Sequence, residues 1–432
     1  MNHIDQEFVT KPGNKWAKPV GVAVIVFTIL ACIISVSYSK TDLGAASKTY
    51  QQNRALAEKN DLFFTTKQVE KIYNIPEEDN AAPLIKPLLG VIKENKWDGK
   101  KLTLDMVTSK QEAFDAALTK LEEASKRKHL VFKRNLSNPA AIMYPEYADL
   151  KTWVKFLTQM ADFAVANNDP AKAQQYLRLA TYIAGVTDEE GTLIAALVRM
   201  ASAAVIEIEL KKILETRGRQ KEWQEVVDST LKGLDKPYNV KRVLQLEHWF
   251  AVTGVDMVMK NPNSFYSSMG GNSMPTALKF ARYIPRFKEA NLSRIHEAYN
   301  TVVGGLPTDP YDFAAIQSAY QSLDKVASRE GLSYTLLAIL APVFSQSTFA
   351  MAKEVAVRNV LMQSLELVKT GKDPKNGLPL AGRFDRDNDG TKLRIKNVNG
   401  GWIIYSIGND RVDDGGIDTV NMKGDWVVHI PK

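Results

Sequence analysis

Cysteine is nearly missing from this chain of 432 residues, with Cys32 the single copy. An intramolecular disulfide is therefore excluded, and so is a CxxC zinc site. If the body lies outside the cytoplasm, packing alone must hold it together. There is no low-complexity tract and no glycine-rich loop of the kind that cradles phosphate. His129, His248, His296 and His429 have no metal-ligand spacing, so each reads as a packing or surface residue. His296-Glu297-Ala298-Tyr299-Asn300 has asparagine where a zincin needs its second histidine. Ser273 lacks a Gly-x-Ser-x-Gly elbow, and Ser125-Lys126-Arg127-Lys128 matches Ser-x-x-Lys only as a basic helix end would. Lys369-Thr370-Gly371 and Ser322-Leu323-Asp324-Lys325 match pieces of a penicillin-binding signature, but no Ser-x-Asn lies between them.

What is present is the composition of a folded protein, 45% hydrophobic and 24% charged. The net charge of +7 suits an anionic membrane surface or acidic wall polymers. By itself it is no nucleic-acid signature, and no nucleic-acid partner is expected. The length leaves room for two or three domains, taking about 150 residues for each.

Pro19 to Tyr38 is an uncharged apolar run, preceded by Lys11, Lys15 and Lys18 and flanked by Trp16 and Tyr38. About 20 residues cross a hydrocarbon core as a helix. The positive-inside rule then puts residues 1–18 in the cytoplasm and the body outside. The run exceeds a signal-peptide core and no clean Ala-x-Ala site follows it. Ile29-Leu30-Ala31-Cys32 approaches a lipobox, but Leu30 is bulky for its place and apolar residues continue past Cys32. A single-pass anchor in the inner membrane is the expectation, with lipoprotein processing at Cys32 as the alternative. A prepilin signal is absent, because the run after Gly21 has Val26 where glutamate is needed.

Residues 39–368 read as an extracytoplasmic α-helical domain. Gln111 to Lys128 carries Phe114, Leu118 and Leu121 on one face. Leu150, Trp153, Val154, Leu157, Met160, Ala161 and Ala164 form a second stripe. Asn167-Asn168 ends that helix, Asp169 caps the next, and Pro170 fits its first turn. Ala173, Tyr176, Leu177, Ala180 and Ile183 follow, with Gly185 as the expected stop. Thr187-Asp188-Glu189-Glu190 reads as a capping box for a third helix whose stripe is Leu193, Leu197, Met200, Ala204 and Ile208. The pair resembles a tetratricopeptide-type hairpin, without a second clean copy. Further helices are expected at Trp223 to Leu234, Val240 to Met259, Thr276 to Phe287, Leu292 to Val303 and within Ser333 to Val368, with a loop at Asn261 to Met274. Basic and aromatic residues interleave from Lys279 to Lys288. They suit a lipid- or wall-contacting face or the solvated side of an ordinary amphipathic helix.

Tyr147-x-x-Leu150, Asn168-Asp169-Pro170-x-x-Ala173 and Thr192-Leu193-Ile194-x-x-Leu197-Val198 resemble a family of bacterial membrane-anchored helical proteins. Its members end in a tail like this one. The resemblance covers residues 145–215 and 335–430 and brings no biochemical activity with it.

Residues 369–432 read as a small antiparallel β meander, with β-rich runs at Leu380–Phe384, Lys392–Val398, Trp402–Ile407 and Trp426–Ile430. The tail resembles the C-terminal region of type II secretion major pseudopilins, through Asp373-Pro374, Pro379, Ser406-Ile407-Gly408-Asn409-Asp410, Gly415-Gly416 and Asp425. That resemblance implies a calcium loop, here Asp410, Asp413, Asp414 and Asp425, with Asp418 nearby. Crowded carboxylates repel unless a cation neutralises them, and a solvated turn is the competing reading. Asp385, Asp387 and Asp389 precede Gly390 with the spacing that opens a calcium loop, but Lys396 stands where its closing glutamate belongs. An Asp-Gly hairpin turn is the alternative there.

The expected function is a non-enzymatic envelope scaffold or protein-interaction module, with a protein partner in the cell envelope and calcium as its one candidate cofactor. The alternatives are an accessory part of a type II secretion or pilus-like assembly, and a hydrolase with an unrecognised site.

Overall fold

Proline, asparagine and aspartate set the first well-defined helix pair. Pro145 opens α4 (Pro145–Ala166), and Asn168, in the left-handed region at φ +54°, turns the chain back. The Asp169 carboxylate accepts the Lys172 N–H at 3.0 Å and caps α5 (Pro170–Thr187). Both expected stripes are buried, with Leu157 and Ala161 of α4 against Ala173, Leu177 and Ala180 of α5. The remaining long helices are α1 (Tyr50–Lys59), α2 (Thr66–Tyr73), α3 (Gln111–Ala124), α6 (Leu193–Arg217), α7 (Lys221–Leu234), α8 (Val240–Lys260), α9 (Phe287–Gly305), α10 (Phe313–Ala327) and α11 (Ser345–Thr370).

The computed structural model describes residues 42–98, 102–268, 279, 283–340, 345–371, 393–398, 400–407, 412–417 and 425–431. The expected membrane segment, residues 19–38, lies outside the described residues, as do the strand expected at Leu380–Phe384, Asp385, Asp387, Asp389 and Asp410. Among the described residues no helix is long and apolar enough to cross a membrane.

Two apolar cores share the helices. The first gathers α3, α4, α5, α7, the later part of α6 and Val360, Leu361 and Leu365 of α11. The second gathers Ala57, Val255, Ile295, Tyr299 and Tyr320 with Met351 and Val355 from the earlier part of α11. Helix α6 also serves both, giving Ala196 and Met200 to the second and Ala203, Ile206 and Leu210 to the first.

Several helix ends depart from the sequence reading. Gly185 lies inside α5, which runs on to Thr187, because a glycine with helical neighbours can be carried by packing on both sides. Helix α3 stops at Ala124 rather than Lys128. Pro262–Ser268 is helical within the stretch expected to be a loop, since proline fits a first turn. Residues 283–286 form a turn, with Arg286 at φ +65°, and Phe287 opens α9 instead of closing a helix.

The stripe predicted for α6 is the largest correction. Of its residues Met200 is buried and Leu193 half-buried, but Leu197 and Ile208 are 41% and 70% exposed and Ala204 is exposed with them, next to Ile194 at 50%. The buried side carries Ala195, Ala196, Ala203, Ile206 and Leu210 together with Arg199, Glu207 and Glu209. The helix therefore hides charges and shows an apolar ridge.

The tail is a three-stranded antiparallel sheet in the order β1 (Arg394–Val398), β2 (Gly401–Ser406), β3 (Trp426–Pro431). Ile404 pairs with Val428 in register, and both join Leu393 and Ile430 in the first core. Gly401, at φ +149°, must be glycine, because a Cβ there would stand 1.9 Å from the Ile430 carbonyl oxygen. The free edge of β3 is held by the body: the His429 N–H donates to Glu215 Oε1 at 3.0 Å, and Arg219 Nη2 donates to the Pro431 carbonyl at 2.7 Å.

Candidate functional site

Asp188, Glu189 and Glu190 follow the end of α5 and do not form the expected capping box. The Thr187 hydroxyl is turned back to the Ile183 carbonyl at 2.6 Å, inside its own helix, and Thr192 caps α6 instead by accepting the Ala195 N–H at 3.1 Å. The three freed carboxylates each hold a different part of the molecule.

Glu190 accepts Arg134 Nη2 at 2.8 Å and Nε at 3.0 Å, and the Phe132 N–H at 3.3 Å. Arg134 also reaches Glu146 through Nη1, at 2.9 Å and 3.0 Å. Glu189 accepts the Leu130 N–H at 3.0 Å and lies 3.3 Å from His129 Nδ1. Residues 129–134 are thereby strapped across the end of α5. Burial raises both glutamates above the usual carboxylate range, against the pull of Arg134 and the strap N–H groups.

Asp188 pairs with the buried Arg199 at 2.6 Å. The Arg199 guanidinium lies 4.4 Å from the Tyr238 ring centre, and the Tyr238 hydroxyl donates to Glu354 Oε2 at 3.0 Å. Glu354 Oε1 accepts Arg358 Nη1 at 2.6 Å. Glu207 is buried beside Glu354, and burial together with that neighbour's charge pushes its carboxyl well above the usual carboxylate range. This line of polar groups follows the seam between the two cores on α6 and α11.

A cleft of about 590 Å³ opens at the outer end of the seam, lined by Asp61, Lys71, His129, Asp188, Glu189, Lys236, Arg242 and Gln245 among others. Gly191, at φ +73°, lets Arg242 pack against the turn, since a Cβ would meet Arg242 Cγ at 2.1 Å. Gln245 Nε2 ties down Asp61 at 2.9 Å, and Lys236 donates to the Gly185 carbonyl at 3.1 Å. Most of the ionisable groups here are engaged with one another or with backbone, which makes the cleft a fixed charged surface.

Two of the histidines meet. His248 Nε2 lies 2.9 Å from His296 Nδ1, and His248 Nδ1 donates to the Phe63 carbonyl at 2.8 Å. Both are buried, which agrees with a packing role, but their contact was not foreseen.

The tail brings two of the four expected calcium ligands to one turn. Asp413 Oδ1 accepts the Gly415 N–H at 2.9 Å and the Tyr405 hydroxyl at 3.1 Å, while Oδ2 pairs with Arg394 Nε at 2.9 Å. Asp425 is buried; its Oδ2 accepts the Gly416 N–H at 2.6 Å, and Oδ1 has no partner among the described residues. Asp414 lies on the same turn and adds negative charge near Asp425. An orphaned buried carboxylate oxygen suits a cation, whereas Asp413 is already neutralised by Arg394. Among the described residues no three histidine, cysteine or acidic side chains are grouped as a metal site.

Compared with models of known families, with curated proteins and with solved structures, the chain matches none.

The acidic triplet was missed because its residues fit a helix start on local pattern alone. Its one legible signal was three consecutive acids directly before Gly191-Thr192, which is itself a turn and a cap.

Proposed function

We propose that this chain is a membrane-anchored interaction protein of the bacterial envelope, with its body outside the cytoplasm and no catalytic role. The observation that carries this reading is the apolar ridge of α6, where Ile194, Leu197 and Ile208 face solvent while Arg199, Glu207 and Glu209 are buried. A helix normally turns such residues the other way, and an exposed apolar row marks an interaction surface. Ala204 lies between the larger residues, so the axis of a second helix can approach closely there. The fitting partner is the apolar face of a helix on a neighbouring envelope protein. The uncharged run at 19–38 and Lys15 and Lys18 support the anchor and its orientation.

The test is a photo-reactive residue at Leu197 of the full chain in cells. It should form an adduct with another protein, and Ile208→Glu should remove the adduct while leaving the melting curve unchanged. No adduct, or one indifferent to Ile208→Glu, would overturn the reading.

A second reading, an accessory part of a type II secretion or pilus-like assembly, is favoured by one observation. Asp413 and Asp425 converge on the Gly415-Gly416 turn, as the resemblance of the tail implies.

A further inference from the structure

The row of α6 that faces solvent has an order of its own. Ile194, Leu197, Ala201, Ala204 and Ile208 follow one another at spacings of three, four, three and four residues. This is the spacing of a coiled-coil seam, in which each apolar side chain inserts between side chains of a facing helix. Val198 and Val205 stand half-buried beside the seam, and Ala201 is half-buried within it. The opposite side of α6, with Ala195, Ala196, Ala203, Ile206 and Leu210, already supplies the two cores.

The sizes along the seam are nearly the same read from either end. Ile194 and Ile208 lie seven residues to each side of Ala201, and Leu197 and Val205 lie four to each side. Val198 and Ala204 lie three to each side. A two-fold contact uses one patch on both partners, so that patch has to complement itself. An antiparallel pair of α6 helices crossing at Ala201 meets this condition. Ile194 then packs on the second copy's Ile208, Leu197 packs on its Val205, and alanine meets alanine where the axes are closest. Small side chains at that crossing allow the short end of the interaxial range, about 8 Å. A different protein imposes no such symmetry on the helix.

We propose that the ridge of α6 pairs with the same ridge of a second copy of this chain, antiparallel and centred on Ala201. The inference rests on reading the ridge as an interaction surface, and it names the occupant. The seam is about 21 Å long and one helix, about 10 Å, wide, well below the roughly 800 Å² that each partner gives to a standard interface. The pair is therefore weak in free solution. Tethering both copies in one membrane raises their effective concentration and favours it.

The test uses the full chain in membranes, with Cys32→Ser so that no native thiol remains, and single cysteines introduced on the ridge. Oxidation should link two copies of Ala201→Cys, because a disulfide needs Cα atoms within about 7 Å. Co-produced Ile194→Cys and Ile208→Cys copies should link to each other at least about tenfold faster than either links to itself, since like positions lie about 21 Å apart. Adding Ile208→Glu to Ala201→Cys should remove the link with the melting curve unchanged. No link at Ala201→Cys, a link indifferent to Ile208→Glu, or self-linking of Ile194→Cys and of Ile208→Cys, the pattern of a parallel pair, would overturn the proposal. A photo-adduct at Leu197 with a different protein and no self-linking would remove the second copy as occupant and leave the ridge an interaction surface. No adduct of either kind would remove both.

Discussion

His248 and His296 are neutral in the folded protein for a reason that can be tested by pH. Burial pushes His248 down to about 4, and burial together with the charges of His248 and Arg54 pushes His296 down to about 3. In the unfolded chain both titrate near about 6.5. Between these values the unfolded state binds more protons, so this contribution to stability falls as pH drops from about 6.5 toward about 4. Replacing both with glutamine should destabilise the protein at pH 7, because the Nε2 to Nδ1 contact and the Phe63 carbonyl bond are lost. The gap from wild type should then narrow as pH falls, by about 1.4 kcal/mol for each unit of depression removed. Urea unfolding at several pH values measures it, and a gap independent of pH would show that the pair titrates normally. None of this was legible in the sequence. Two histidines 48 positions apart, on different helices, carry no signal of contact until α8 and α9 pack.

Helices α4, α5 and α6 divide sharply in how well their sequences revealed their faces. In α4 the polar residues Lys151, Lys155 and Gln159 interrupt the apolar ones at helical spacing, so one face alone could be the core. In α6 nearly every position from Leu193 to Ile206 is apolar or small, and periodicity cannot choose a side. The choice is made by the partners of Arg199 and Glu207, which lie on α5, α8 and α11 or their flanks and not in α6. The two faces therefore predict opposite outcomes for similar substitutions. Leu157→Ala, at a fully buried site, should cost roughly 2–5 kcal/mol. Ile208→Ala, at a 70% exposed site, should change stability by no more than about 0.5 kcal/mol. Chemical denaturation of both variants decides. Equal costs would mean that α6 is rotated from the orientation described.

At the scale of the whole molecule, the tail is part of the body, since its inner face shares the first core and β3 is bonded to Glu215 and Arg219. The strands were legible because β-branched and aromatic residues alternate there between turn residues. The docking was not, because it depends on side chains more than 200 positions away. This attachment makes calcium binding measurable as stability of the intact protein. Asp425, raised above the usual carboxylate range by burial and by the charges of Asp413 and Asp414, has one oxygen unmatched among the described residues. A cation there would relieve all three costs at once, and calcium tolerates the irregular oxygen geometry that magnesium does not. The expected affinity is of the extracellular type, on the order of 10⁻⁴ M. Ligand at ten times that concentration adds about 1.4 kcal/mol to the folded state. Millimolar calcium should therefore raise the melting temperature, magnesium should do less, and Asp425→Asn should remove the gain. Arg394→Gln should enlarge it, because Asp413 would lose the cation that now neutralises it and become free to bind the ion. Superimposable melting curves in calcium and in chelator would leave Asp425 as the clamp of a glycine turn, bonded to the Gly416 N–H and needing no ion.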